Sequence, residues 1–170
     1  MKIPVDRLFH PEVASIEIEQ HVRPSAELGA RYPEGVTLRG KIERISHGVH
    51  LHGRLQGVER ETCARCLELF DRPINIDVAE TFSEDVAEGE DVPATVSPLV
   101  DRQIDISDLV SQLLEVDEPM APLCSQQCEG ICSMCGVNRN VASCTCAPSD
   151  VDPRLAGLAR FRDEAKHNVS

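Results

Sequence analysis

The chain has 170 residues, which leaves room for one domain plus a small module but not for two full-sized domains. Its net charge is −12, from 17 basic and 29 acidic side chains, which argues against gripping nucleic acid by bulk electrostatics. No apolar run approaches the roughly 20 residues a membrane span needs, and with one Tyr, four Phe and no Trp the core must be built from Val, Ile and Leu.

The opening MKIPVDRLFHPEV has Asp6, Pro4 and Pro11 and no apolar stretch of the kind an export signal requires, so it predicts a cytoplasmic protein. Ile16, Ile18 and Val22 alternate with Glu17, Glu19 and His21, the pattern of a half-buried strand. A loop is expected from Pro24 to Gly35. Two clean alternations follow. Val36, Leu38, Gly40 and Ile42 oppose Thr37, Arg39, Lys41 and Glu43; Val49, Leu51, Gly53 and Leu55 oppose His50, His52, Arg54 and Gln56. Ser46-His47-Gly48 between them reads as a hairpin turn. A fourth run takes in Leu67, Leu69, Ile74, Ile76 and Val78, with Pro73 marking an edge or a bulge.

Charge is unevenly spread. Residues 1–72 balance at 11 of each sign, whereas residues 77–118 hold 13 acidic side chains and only Arg102 on the basic side. Such a stretch suits a basic partner or simply solubility. Its part at 83–103 is acidic, bears Gly and Pro and has no period, and so predicts a surface loop. Ile106, Leu109, Val110, Leu113 and Leu114 then recur at helical spacing. They predict one amphipathic helix over 106–116, with Asp105 or Ser107 as its cap and Pro119 beyond its end. A second helix start is Asp152-Pro153-Arg154-Leu155. There Leu155, Leu158 and Phe161 are placed to dock, and Arg154, Arg160, Arg162 and Lys166 give a basic side. The fold class is α+β: an antiparallel sheet domain with an acidic loop and one helix over 1–120, a Cys-rich module over 121–148, and a terminal helix over 149–170.

Eight cysteines in a chain without an export signal point to metal or redox chemistry rather than to disulfides. Cys132-Ser133-Met134-Cys135-Gly136 is a knuckle: two sulfurs converge on one metal, and Gly lets the chain turn back. Cys144-Thr145-Cys146 can supply the other two thiolates of a tetrahedral zinc site. The segment is too short and polar to fold alone, so metal must supply its folding energy. Cys63-Ala64-Arg65-Cys66 lies between two strands. Those flanks disfavour thioredoxin-like catalysis, which places such a pair at a helix N-terminus. It forms half of a second site whose other half is Cys124 and Cys128, and such a metal would pin the module to the sheet. Two reduced structural cysteines are the alternative, and other partitions stay open at this point. One or two structural zinc ions are therefore expected. His47, His50 and His52 cluster on and beside one hairpin, and Arg39, Lys41 and Arg54 share neighbouring polar faces, as an RNA-contacting patch or as ordinary solvated residues. The sequence shows no phosphate-cradling loop and no nucleophilic triad.

CARCL at 63–67, IDISDLVSQLL at 104–114, the Pro119–Cys124 segment, CSQQCEGICSMCGVNRN at 124–140, CTC at 144–146 and the closing DPRLAGLARFRD follow one another in order. Together they resemble the YceD family of large ribosomal RNA subunit accumulation proteins, from about residue 10 to 166. Arg139 stands where an apolar residue is common in that family. The resemblance implies a bacterial cytoplasmic factor in ribosome biogenesis, needed for accumulation of large-subunit (23S) ribosomal RNA. The family name gives a process rather than a reaction, and a non-enzymatic factor is expected because cysteine closes all four positions of a structural zinc. On this reading a zinc-stapled platform binds pre-ribosomal RNA or a large-subunit ribosomal protein, with no membrane and no small-molecule substrate. The alternatives are a zinc-ribbon adaptor in another pathway and a rubredoxin-like iron electron carrier.

Overall fold

In the computed structural model, residues 1–84, 86, 96–146 and 154 are described. They fall into two compact units. The first comprises Met1–Ala64 and Glu68–Gln126; the second comprises Arg65–Leu67 and the described residues from Gln127 on.

The first unit is built on a five-stranded sheet in the order β2-β3-β4-β5-β6, with β2 Ser15–Val22, β3 Val36–Ile45, β4 Gly48–Thr62, β5 Leu69–Ser83 and β6 Val96–Pro98. The pairs are antiparallel except β5–β6, which is parallel over Thr81–Ser83. A separate two-stranded ribbon pairs β1, Lys2–Pro4, with β7, Gln103–Asp105. The fold is thus α+β with a mostly antiparallel sheet, as the alternating runs predict.

Period-two alternation sets which face is buried. Leu38, Ile42, Leu51 and Leu55 are fully buried on one face, beside Val36, Val49, Ile74 and Val78, while His52, Arg54, Gln56, Asn75 and Asp77 face solvent. The β3–β4 turn is the two-residue loop Ser46-His47, closed by the Ile45–Gly48 pair. Gly48 has φ +150, and a Cβ there would sit 1.9 Å from the Phe82 carbonyl oxygen, so only glycine fits. The helix forms as expected. α2, Ser107–Val116, buries Val110 and Leu114 in the core with the preceding Ile106, and Leu109 and Leu113 pack at the edge of that core. Complete burial of these three side chains contributes on the order of 6 kcal/mol. The N-cap position is Ile106, which makes no side-chain cap, instead of the expected Asp105 or Ser107; the Asp105 carboxylate, one residue earlier, accepts the Ser107 N–H at 2.9 Å. It also pairs with the Met1 ammonium at 2.8 Å, which holds its pKa down at about 2.

The structure corrects three expectations. The Pro24–Gly35 loop contains a helical turn, α1 Ala26–Gly29, and buries Leu28 and Tyr32 in the core. The expected loop at 83–103 contains β6 and the first residue of β7, and Leu99 is buried; most of its acidic run lies outside the described residues. Leu67 and Leu69 are 62% and 69% exposed, because the even-numbered residues of β5 point inward and these two fall on the opposite parity. Of the two readings of Pro73, the edge holds and the bulge does not: the β4–β5 register runs unbroken from Gly48–Ser83 to Thr62–Leu69. Among the described residues, β6 pairs only with Thr81–Ser83, so Pro73 lies on an open edge that does not need its missing N–H. Apart from Arg154, the C-terminal helix expected over 149–170 lies outside the described residues.

Candidate metal centre

The two CxxC segments share one backbone plan. At the first, the Cys63 N–H donates to the Glu68 carbonyl at 2.9 Å; at the second, the Cys132 N–H donates to the Val137 carbonyl at 2.8 Å. Each loop is closed by a pair seven residues apart, Thr62–Leu69 and Ile131–Asn138. In each, the residue after the second cysteine is left-handed: Leu67 at φ 61 and Gly136 at φ 73. Glycine adopts this conformation freely, whereas leucine does so at a cost of about 1–2 kcal/mol. A search for CxxCG finds only the second knuckle, because Leu67 hides the first.

These knuckles contribute to two separate groups of four sulfurs. Cys63, Cys66, Cys124 and Cys128 form one; Cys132, Cys135, Cys144 and Cys146 form the other. Within each group all four sulfurs lie within 4.8 Å of one another. Four thiolates bound tetrahedrally at the usual zinc–sulfur length are about 3.8 Å apart, so a modest contraction of either group suffices. All four positions are cysteine, which leaves no position for a reacting water or substrate. Cys63, Cys66 and Cys128 are buried, while Cys135 and Cys146 are exposed.

Two further observations favour a metal. The hydrophobic core consists entirely of residues from the first unit. Among its described residues the second unit therefore contributes nothing to that core, and a segment of this kind needs another source of folding energy. In the second group the sulfurs also perturb one another. Hydrogen bonds from the Cys135 and Met134 backbone, with help from Cys144 and Cys135, bring the Cys132 thiol down to about 6. Cys146 is pushed up to about 12, first by its hydrogen bond with Cys135 and then by burial and by the charge of its neighbours. A divalent cation bound by the four sulfurs would offset the repulsion between neighbouring thiolates.

The loop between the knuckle and the CxC pair is tied down by two asparagines. Asn138 Oδ1 accepts from Asn140 N at 3.0 Å and from Asn140 Nδ2 at 2.8 Å. Asn140 Oδ1 accepts the Glu129 N–H at 2.8 Å, and Asn140 Nδ2 donates to Cys128 Sγ at 3.3 Å. Arg65 Nη1 donates to the Cys128 carbonyl at 3.0 Å. Side chains that bond a ligand residue in this way orient it and tune its affinity. Motif reading singles out the cysteines and passes over these groups.

The basic residues of the sheet face are not a bare patch. Arg39 pairs with Glu19 at 2.7 Å, Lys41 with Glu43 at 2.5 Å and Arg54 with Asp77 at 3.0 Å. His50 and His52 lie beside them, with ring centroids 6.0 Å apart, and His50 Nδ1 is 3.2 Å from the Thr81 hydroxyl.

Sequence reasoning also missed a buried acid. Glu59 on β4 is fully buried on the inward face. It accepts from Tyr32 Oη at 2.9 Å, Arg31 Nη2 at 2.5 Å, and Arg72 Nε and Nη2 at 2.9 and 2.5 Å. Arg31 also pairs with Glu61 and Glu118, and Arg72 with Asp117, so the network reaches the end of α2. Alternation alone places Glu59 inward, but only the tertiary fold supplies its partners.

Comparison with known proteins places these features in a family. The family described as Large ribosomal RNA subunit accumulation protein YceD matches residues 51–162. The chloroplastic Large ribosomal RNA subunit accumulation protein YCED homolog 1 of Arabidopsis thaliana is 26% identical over 165 residues, covering 78% of this chain and 51% of the relative. This chain therefore spans about half the length of that relative. An uncharacterized protein of Mycobacterium tuberculosis is 27% identical over 144 residues, covering 81% of this chain and 70% of the relative. The Zea mays homolog 1 is 36% identical over 55 residues, 32% of this chain and 19% of the relative. No solved structure matches. The match spans both CxxC knuckles, the helix between them and the CxC pair, and the chain belongs to the YceD family of large ribosomal RNA subunit accumulation proteins.

Proposed function

We propose that this protein is a non-enzymatic factor of ribosome biogenesis that supports accumulation of large-subunit (23S) ribosomal RNA. On this reading zinc fills both cysteine groups and plays a structural part. The observation that carries the proposal is a family match spanning two groups of four cysteines, neither with a position left for a substrate. The process comes from the family name, and the absence of chemistry at the metal comes from the donor set. On this reading the protein acts in the cytoplasm, where ribosomal RNA accumulates. Among the described residues no helix is long and apolar enough to cross a membrane.

The charges bear on the partner. With Arg39, Lys41 and Arg54 each matched to a carboxylate and the chain at −12, a basic large-subunit ribosomal protein is a better electrostatic fit than RNA phosphate. The test is capture of the tagged protein at two salt concentrations, with bound RNA sequenced and bound proteins identified. Enrichment of early large-subunit proteins with precursor large-subunit RNA supports the reading. No ribosomal component at either salt refutes direct binding and moves the adaptor alternative to first place. The metal is checked on the same material: a colourless aerobic preparation with zinc fits, and a red one is the iron carrier.

A further inference from the structure

The two cysteine groups are not structurally independent. Asn140 lies between Cys135 and Cys144, inside the loop whose two ends supply the second group. Its side-chain amide nevertheless donates to Cys128 Sγ, a member of the first group. Everything that fixes Asn140 depends on how that loop lies. Its own N–H and Nδ2 are held by Asn138 Oδ1, and its Oδ1 takes the Glu129 N–H next to Cys128. Arg139 N donates to the Gly130 carbonyl at 2.8 Å, Ile131 pairs with Asn138, and Ala142 N returns to the Asn138 carbonyl at 3.1 Å. None of these residues belongs to the hydrophobic core, so the arrangement rests on these hydrogen bonds and on how the loop between Cys135 and Cys144 is closed.

We propose that Asn140 is a positioning residue that couples the two metal sites. A metal held by Cys132, Cys135, Cys144 and Cys146 closes the loop, the loop presents Asn140 to Cys128, and the N–H···S bond strengthens metal binding by Cys63, Cys66, Cys124 and Cys128. The effect is reciprocal, because a coupling free energy acts equally on both sites. The protein therefore loads two metals with positive cooperativity instead of filling two unrelated sites. This inference rests on the metal reading given above.

The test uses the full chain, with Zn²⁺ titrated against a competing chelator and Co²⁺ as a spectroscopic probe. Cys144→Ser/Cys146→Ser leaves only the first group intact. It should weaken zinc binding there by about tenfold or more, the usual scale for loss of a group that bonds a ligand. Asn140→Ala, which removes no ligand, should weaken the same site by a similar factor. The triple variant should be no worse than Cys144→Ser/Cys146→Ser alone, since the loop no longer presents the amide. Asn140→Asp keeps an acceptor for Glu129 N–H and loses the donor to sulfur. In both Asn140 variants the thiolate-to-Co²⁺ charge-transfer band should move to lower energy, a shift that a general loosening of the fold would not produce. A change below about threefold in Asn140→Ala, an unmoved band, or additive losses in the triple variant would overturn the coupling. Two metals bound independently would sink the coupling alone. A chain that takes up neither Zn²⁺ nor Co²⁺ would sink the metal reading as well.

Discussion

Replacing Glu59 by Gln tests the account of how the first unit is held together. The carboxylate has no exposed surface and accepts four hydrogen bonds from Tyr32, Arg31 and Arg72. Gln fills the same volume but loses the charge, and its amide must turn N–H groups toward one of the guanidinium donors. Breaking a buried ion pair from one side costs about 3–5 kcal/mol. Here Arg31 keeps Glu61 and Glu118, and Arg72 keeps Asp117, so the low end, about 3 kcal/mol, is expected. In urea unfolding of the zinc-loaded protein at pH 7, a slope of about 2 kcal/mol per molar turns this into a midpoint shift of about 1.5 M. Asp77→Asn is the control: Asp77 is 86% exposed in its pair with Arg54, and its loss should cost no more than about 0.5 kcal/mol.

The same variant has a signature in acid. Burial alone would push the Glu59 carboxyl up, but hydrogen bonds from Arg72 and Tyr32 and the charges of Arg72 and Arg31 bring it below its ordinary value of 4.5. A depressed native pKa gives stability that is present above the ordinary value and lost as pH falls through the native one. The gap between wild type and Glu59→Gln should therefore narrow under acid. A midpoint difference at pH 7 no larger than that of Asp77→Asn would refute the reasoning.

Glu80 should behave in the opposite sense. It is buried, its pKa is raised by burial, and it takes a hydrogen bond from the Ser97 hydroxyl at 2.7 Å. Its contribution is full below the ordinary carboxyl pKa and is lost as pH rises through the raised one, so Glu80→Gln should be neutral or stabilising at pH 8 in the same urea assay. Gly136→Ala should cost about 1 kcal/mol and no more, since a Cβ there meets nothing within 4 Å and only the left-handed backbone objects; thermal unfolding of the metal-loaded protein reads this directly. Leu67→Gly should be neutral to stabilising by up to about 1 kcal/mol, because the exposed side chain gives up little packing and the backbone strain disappears. Removing metal with a chelator should abolish amide-exchange protection at 130–142 while β3, β4 and β5 stay protected. Equal loss in both regions would show that the sheet also depends on the metal.

Much of this architecture can be read from the chain because it rests on local periodicity. The β3 and β4 faces follow from strict alternation, and α2 follows from Ile106, Leu109, Val110, Leu113 and Leu114. What escapes is non-local or too short to show a period. β1, β6 and β7 have three residues each and exist only through their partners. Leu67 and Leu69 looked like core because a Leu-x-Leu run carries no mark of which face it takes; the turn at Cys63–Cys66 sets that parity. The cysteine spacings suggest two foursomes, but spacing alone fits other partitions of eight sulfurs, and the three-dimensional arrangement selects one. Asn140 and Glu59 could not be singled out, because an amide in a loop and an acid in a strand acquire meaning only from what the fold brings against them.

Pro73 has a consequence for behaviour at high concentration. Among the described residues, β5 from Leu69 to Glu80 has no neighbour on its outer side, and Phe70, Ile74, Ile76 and Val78 lie along it. An open edge of that length is a template for adding a strand from another molecule. Pro73 interrupts it with a missing N–H, and the charged neighbours Asp71, Arg72 and Asp77 make a second strand costly to align. Pro73→Thr would restore an unbroken edge without touching the core, and self-association read by light scattering should then rise more steeply with protein concentration than in the wild type.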